Sequence, residues 1–218
     1  MRPDYRIQSR LFHCNPNTTL RHQHPSLIIA SFNTLKILMS LLNVRPGDNL
    51  PYECNVIVEI PKHADPVKYE VDKVSGVLVV DRFIGSLMRY PCNYGFIPET
   101  IAEDGDPVDV LVVTQFPIVH GAIIPCRPVG MLSMEDESGG DAKIVAVPTD
   151  KLTPLYHDVE SFRDLPKITL EQIKHFFELY KALEPGKWVK IKGWQGIEAA
   201  HAEIMNGLER HKKNTMTK

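Results

Sequence analysis

Cysteine is scarce in this chain and scattered. Cys14, Cys54, Cys92 and Cys126 are the four among 218 residues, and no two of them form a C-x-x-C pair. That spacing supports neither a zinc cluster nor a disulfide framework, and it points to a reducing compartment. Long apolar runs are missing as well. The greasiest stretch, SLIIASFNTLKILMSLL from Ser26 to Leu42, is broken by Asn33, Thr34 and Lys36, so it falls short of the ~18 uninterrupted apolar residues that a membrane span requires. Internal repeats and low-complexity tracts are lacking too, which leaves an ordinary globular architecture. Nor is there an excess of positive charge. The formal net charge is −2, but the first 38 residues hold five Lys/Arg and one acidic residue, which leaves 20 basic against 26 acidic side chains, or −6, for residues 39–218. A body that acidic is a poor nucleic-acid binder unless one face concentrates the base.

What is present is a composition of 43% apolar and 24% charged residues, enough for one domain with a real core. Residues 1–38, rich in Arg, His, Asn and Thr and without sustained periodicity, are expected to form a poorly ordered extension. Three readings stay open for it: an organelle transit peptide, a dispensable segment, or a chain that begins at Met39. Residues 39–218 are expected to be the folded domain.

From Cys54 onward short β-type runs dominate. NVIVEI (55–60), VKYEVD (67–72), GVLVVDRF (76–83), DVLVVT (109–114), AIIPCRPVGML (122–132) and AKIVAVP (142–148) alternate or are rich in β-branched residues, and Gly and Pro bound them. In the second of these, Val67, Tyr69 and Val71 share one face, which places Lys68, Glu70 and Asp72 on the other. Helical periodicity enters late. Thr169 is expected to cap a helix running through Ile173, Phe176, Phe177 and Tyr180 to a stop at Pro185-Gly186, and GIEAAHAEIMNGLERHKK forms a second. Cys54, Cys92 and Cys126 are expected to be small apolar fillers, and His157 and His175 surface residues.

The stretch EDGDPVDVLV gathers Glu103, Asp104, Asp106 and Asp109 at the start of a strand. Two carboxylates ~4 Å apart repel by roughly 4 kcal/mol at an effective dielectric near 20, so a counter-charge is expected. An EF-hand does not fit: it needs oxygen ligands at positions 1, 3 and 5, Gly at 6 and Glu at 12, and counting from Asp104 these fall on Val108, Asp109 and Gln115 at the last three. Pro107 stiffens the loop, and convergent carboxylates on a rigid loop suit Mg2+. A second acidic turn, MEDESGGDAK, adds Asp136 and Asp141, with Lys143 just beyond. Each cluster alone reads more readily as a solvated turn than as a metal site; two of them in one β domain, each abutting an apolar strand, bring the two readings level. Lys68, Arg82, Lys143 and Lys181, with Tyr90, Tyr94 and Tyr180, offer donors for phosphate oxygens, although each taken singly also suits a surface ion pair or a helix rim.

These residues carry a wider pattern. EDGDPVDVLV, VIVEIPKHADPVKYEVDKVSGVLVVDRF, YPCNYGFIPET, DESGGDAKIVAVP and HFFELYKALEPGKWVKIKGW follow one another in the order and spacing of the soluble, Mg2+-dependent inorganic pyrophosphatases of bacterial type, which residues 39–212 closely resemble. The resemblance implies an α+β, mostly β fold: a five-stranded OB-like closed barrel with peripheral helices, two of them C-terminal. It implies hydrolysis of inorganic pyrophosphate to two phosphates by a metal-activated water, a cytoplasmic location and a homohexamer, with no nucleic-acid or membrane partner.

Residue by residue, the resemblance makes Asp104, Asp109 and Asp141 ligands of the ions that hold the attacking water, with Asp109 bridging. Asp136 and Asp141 hold a further Mg2+, Glu70 and Glu59 serve an outer metal site, and three to four ions are implied, with Mn2+ or Zn2+ as substitutes. Asp106 becomes the base. Lys68, Arg82, Tyr94, Lys143, Tyr180 and Lys181 bind phosphate, and Tyr90 lines the pocket. The residues themselves leave a two-metal phosphodiesterase or nucleotide hydrolase as the alternative, since a ligand set does not fix the leaving group.

Overall fold

The computed structural model describes residues 41–216; the expectations for residues 1–38 and for a start at Met39 lie outside the described residues. Among the described residues eight strands form, namely β1 (Cys54–Ile60), β2 (Val67–Val71), β3 (Leu78–Phe83), β4 (Asn93–Phe96), β5 (Asp109–Val112), β6 (Ile123–Asp136), β7 (Gly139–Pro148) and β8 (Val189–Gln195). Two helices follow late in the chain, α1 (Lys167–Leu179) and α2 (Ile197–Met216). Among the described residues no helix is long and apolar enough to cross a membrane.

The main sheet runs β1-β4-β5-β7-β6, and β6 pairs back onto β1, so five strands close into a ring with β8 added along β6. The expected barrel is therefore present. The 14-residue β6 does much of the closing. Its first residues pair with β1, as in Cys54 opposite Cys126, and its remainder lies between β7 and β8. β2 and β3 form a separate two-stranded ribbon.

Alternation along the ring strands divides the core. Val110, Val112, Ile144 and Ala146 pack toward Ala200, Ile204 and Leu208 of α2, whereas Leu111, Val145 and Val147 join Ile173, Phe176 and Phe177 of α1. Cys54, Cys92 and Cys126 are free and buried, as expected of fillers. Burial pushes the Cys54 and Cys92 thiols up to about 12. His157 and His175 are exposed, and His157 Nδ1 meets Asp150 Oδ2 at 2.6 Å.

Three sequence expectations need correction. Thr169 does not cap α1. That helix starts at Lys167, straight after Pro166, whose fixed φ of −53° begins the turn, and no side chain caps it. The helix also ends at Leu179 rather than at Pro185; single turns, such as Glu184 N–H to Lys181 O at 2.9 Å, carry the chain onward. Asp72 leaves the face it was expected to share with Lys68 and Glu70. β2 ends at Val71, and Asp72 Oδ1 instead accepts from the Ser75 amide at 2.6 Å and the Ser75 hydroxyl at 2.5 Å to close the β2–β3 turn.

Candidate active site

The parallel register of β5 on β7 sets Asp109 beside Lys143, and Asp141, two residues before Lys143, shares its face. The Lys143 ammonium therefore sits between two carboxylates, paired with Asp109 and 2.5 Å from Asp141 Oδ1. Lys143 is only 4% exposed. Burial acts to lower its pKa, but the charges of Asp109 and Asp141 outweigh it and hold the ammonium protonated well above the ordinary lysine range. Tyr94 on β4 and Phe177 on α1 present their rings to the same ammonium at 5.7 Å and 5.9 Å.

The loop between β4 and β5 supplies the other acids. Gly105 takes φ +90°, a conformation open to glycine, and the Asp106 amide donates to Asp104 Oδ1 at 3.0 Å. Burial pushes the Asp104 carboxyl up. Asp106 projects toward solvent and pairs with Lys73 at 2.6 Å. From β1, Glu59 reaches the same cleft. It is 7% exposed, its Oε1 accepts from the Val71 amide at 2.8 Å, and burial raises its pKa to about 8.

The β2–β3 ribbon places Lys68 opposite Arg82. Lys68 pairs with Glu70 and lies 3.3 Å from Asp81, while Arg82 pairs with Asp81 at 2.6 Å and Glu184 at 3.3 Å. Just past the end of α1, Lys181 holds Asp136 at 2.6 Å and Glu137 at 3.5 Å. Tyr90, Tyr94 and Tyr180 are buried, and burial raises all three phenols, so they stay protonated donors.

Every site residue expected from the sequence lines one cleft of about 240 Å3: Glu59, Lys68, Glu70, Arg82, Tyr90, Tyr94, Asp104, Asp106, Asp109, Asp136, Asp141, Lys143, Tyr180 and Lys181. Lys73, Glu137 and Lys187 line it too and were not singled out. Glu137 pairs with Lys187 at 2.5 Å. Burial opposes its ionisation, but the Lys187 hydrogen bond, backbone amides and the Lys181 charge bring its pKa down to about 2. Its position inside the acidic turn was the available signal. Strict alternation would have turned it outward with Glu135, which pairs with Lys192 at 2.9 Å, but β6 ends at Asp136 and the turn folds Glu137 back in.

Among the described residues no three acidic, His or Cys side chains close around one point as a finished metal site. The donor set nonetheless fits hard cations such as Mg2+. It is entirely carboxylate oxygen, it converges on one cleft, and Glu137 Oε2 is buried without a hydrogen-bond partner. Mg2+ is commonly held by one or two carboxylates together with waters and substrate phosphates, so a closed protein cage is not needed.

An OB-like barrel whose rim joins carboxylates to buried lysines, an arginine and phenols defines a hydrolase of phosphoryl groups. Residues 56–212 match the family model described as inorganic pyrophosphatase. The inorganic pyrophosphatase of Ralstonia nicotianae is 62% identical over 175 residues, covering 80% of this chain and 100% of that protein. That of Escherichia coli strain K12 is 57% identical over 174 residues, 80% of this chain and 99% of its own. A crystal structure of an inorganic phosphatase from Anaplasma phagocytophilum superposes with a TM-score of 0.77 at 48% identity, covering 78% of this chain and 99% of that one. The chain belongs to the family I inorganic pyrophosphatases.

Proposed function

We propose that this chain hydrolyses inorganic pyrophosphate to two phosphates by direct attack of a water molecule, in a cleft whose carboxylates hold Mg2+. The observation that carries the reading is the convergence of Asp104, Asp106, Asp109, Asp136 and Asp141 with Lys68, Arg82, Lys143 and Lys181 in a single small cleft. Its volume, about 240 Å3, lies below the ~300–1,000 Å3 typical of pockets for drug-sized ligands and suits a compact polyanion better than a nucleotide or a diester.

Asp104, Asp109 and Asp141 would hold ions on the side of the attacking water. Asp136 and Asp141 would hold a further ion, and Glu70 and Glu59 an outer one, for three to four per site. When bound, Mg2+ neutralises pyrophosphate oxygens and lowers the pKa of a water; Mn2+ and Zn2+ are substitutes. Asp106, whose side chain is 61% exposed and paired with Lys73, would take the proton from that water. Lys68, Arg82, Tyr94, Lys143, Tyr180 and Lys181 donate to phosphate oxygens and meet the charge that develops as the bridging bond breaks. Tyr90, its ring 5.1 Å from that of Tyr94, backs the pocket wall.

The reading extends to a cytoplasmic homohexamer. The family resemblance supports this, as does large apolar surface on and after the β2–β3 ribbon, where Phe83 is 78% and Leu87 93% exposed. The test of the central assignment is Asp106→Asn. The variant is expected to keep the fold and calorimetric Mg2+ binding while losing most hydrolysis, and near wild-type turnover removes Asp106 from the role of base.

A further inference from the structure

The loop carrying Asp104 and Asp106 is held from outside the cleft by the C-terminal helix. The Ile101 amide donates to the carbonyl of Gly207 at 3.0 Å, and Arg210 Nε donates to the Ile101 carbonyl at 2.7 Å. Both backbone polar groups of one loop residue, three positions before Asp104, thus end on α2. The other arm of the Arg210 guanidinium, Nη2, donates to Glu203 Oε1 at 2.7 Å; seven residues apart, the two lie two helical turns along one face, so the fork is oriented before it meets the loop.

Movement at Ile101 has a short path to the acids. The next residue, Ala102, donates its amide to the Asp106 carbonyl at 2.6 Å, and the neck of the loop is closed by buried Thr100, whose hydroxyl donates to Ile97 O at 2.6 Å and accepts from the Val108 amide at 2.9 Å. The helix comes this close because position 207 has no side chain. A Cβ there would lie 2.6 Å from Val108 Cγ2 and 3.3 Å from Thr100 Cβ. Glycine inside a helix costs about 1 kcal/mol relative to alanine, a cost that the approach to the loop explains.

We propose that Arg210, with Gly207, is a positioning residue for the metal-binding acids: through Ile101 it fixes where Asp104 and Asp106 stand. Arg210 does not line the cleft, so it touches no reacting group. The inference rests on the reading of Asp104 as a metal ligand given above.

A merely structural helix–loop contact would lower stability and leave metal affinity alone, and this separates the two roles. Full-length Arg210→Gln and Gly207→Ala are titrated with Mg2+ by calorimetry without substrate, and amide exchange over residues 101–106 and the thermal midpoint in EDTA are measured alongside. Both variants are expected to bind Mg2+ about tenfold more weakly, the scale typical of residues that orient ligands, with faster exchange over 101–106. Arg210→Lys keeps the charge but not the two-armed geometry, and it is expected to fall with Arg210→Gln; should Arg210→Gln fail to fold, Arg210→Lys is read by the same criterion. Mg2+ affinity within twofold of wild type in both variants overturns the proposal whatever happens to the thermal midpoint. Wild-type protein that binds no Mg2+ removes the underlying metal reading instead, and unchanged exchange over 101–106 then disposes of the clamp separately.

Discussion

Replacing Lys143 by methionine keeps the apolar stem and removes the ammonium between Asp109 and Asp141. The lysine side chain is 5% exposed and that of Asp141 9%, so the pair is shielded from water. Removing one partner of a buried ion pair costs ~3–5 kcal/mol, because the remaining charge stays buried without compensation. Here two carboxylates are left facing each other, and partial protonation of one relieves some of the cost, so about 3 kcal/mol is expected in EDTA near pH 8. Divalent ions supply the missing positive charge. At a free Mg2+ concentration 100 times its Kd, binding to the native state stabilises by ~2.7 kcal/mol, and the variant, with unpaired carboxylates, is expected to gain at least as much as wild type. Urea unfolding at fixed protein concentration, with and without Mg2+, is the assay. A loss below about 1 kcal/mol in EDTA, or a gap that Mg2+ leaves unchanged, refutes the view that Lys143 and the metals neutralise the same acids.

Two further outcomes follow from the geometry. Glu59 carries a folded pKa of about 8 against an ordinary value of 4.5, so the native state binds its proton more tightly than the unfolded chain. Stability from this group is complete below the unfolded value and is lost as pH rises toward 8, with a slope of up to ~1.4 kcal/mol per pH unit; in EDTA, Glu59→Gln is expected to flatten the decline between about pH 5 and 8. An unchanged pH profile contradicts the burial argument. Gly95 stands opposite Val58 where β4 crosses β1, and a Cβ there would lie 1.9 Å from the Ile57 carbonyl oxygen, which is backbone and does not yield. Gly95→Ala is expected to cost about 3 kcal/mol or more in denaturant unfolding, and a cost below 1 kcal/mol means that the two strands can separate freely.

Alternation made β1 and β2 legible, and β-branched runs bounded by Gly and Pro did the same for β3, β5, β6 and β7. β4 was not legible: Asn93, Tyr94, Gly95 and Phe96 are all buried, so no face contrasts with the other. β8 carried its signal in Val189 and Ile191, but it lies on the sheet margin as a short run full of lysine. The ring closure of β6 onto β1 has no local signature, since it joins residues some seventy positions apart in sequence. Among site residues, residue type and the acidic turns pointed to Asp104, Asp109, Asp136 and Asp141. Lys73 and Lys187 were hidden because lysines near turns are ordinarily solvated; their side chains remain 63% and 43% exposed, and only the folded ribbon and the loop after α1 bring them to the cleft's edge, against Asp106 and Glu137.

The most direct test of the central claim is phosphate release from pyrophosphate by the purified full chain, with and without millimolar Mg2+, beside a nucleoside triphosphate and a phosphodiester. Rapid Mg2+-dependent release from pyrophosphate alone is the expected result. No release from pyrophosphate by folded, Mg2+-bound protein, or faster cleavage of the diester, contradicts it.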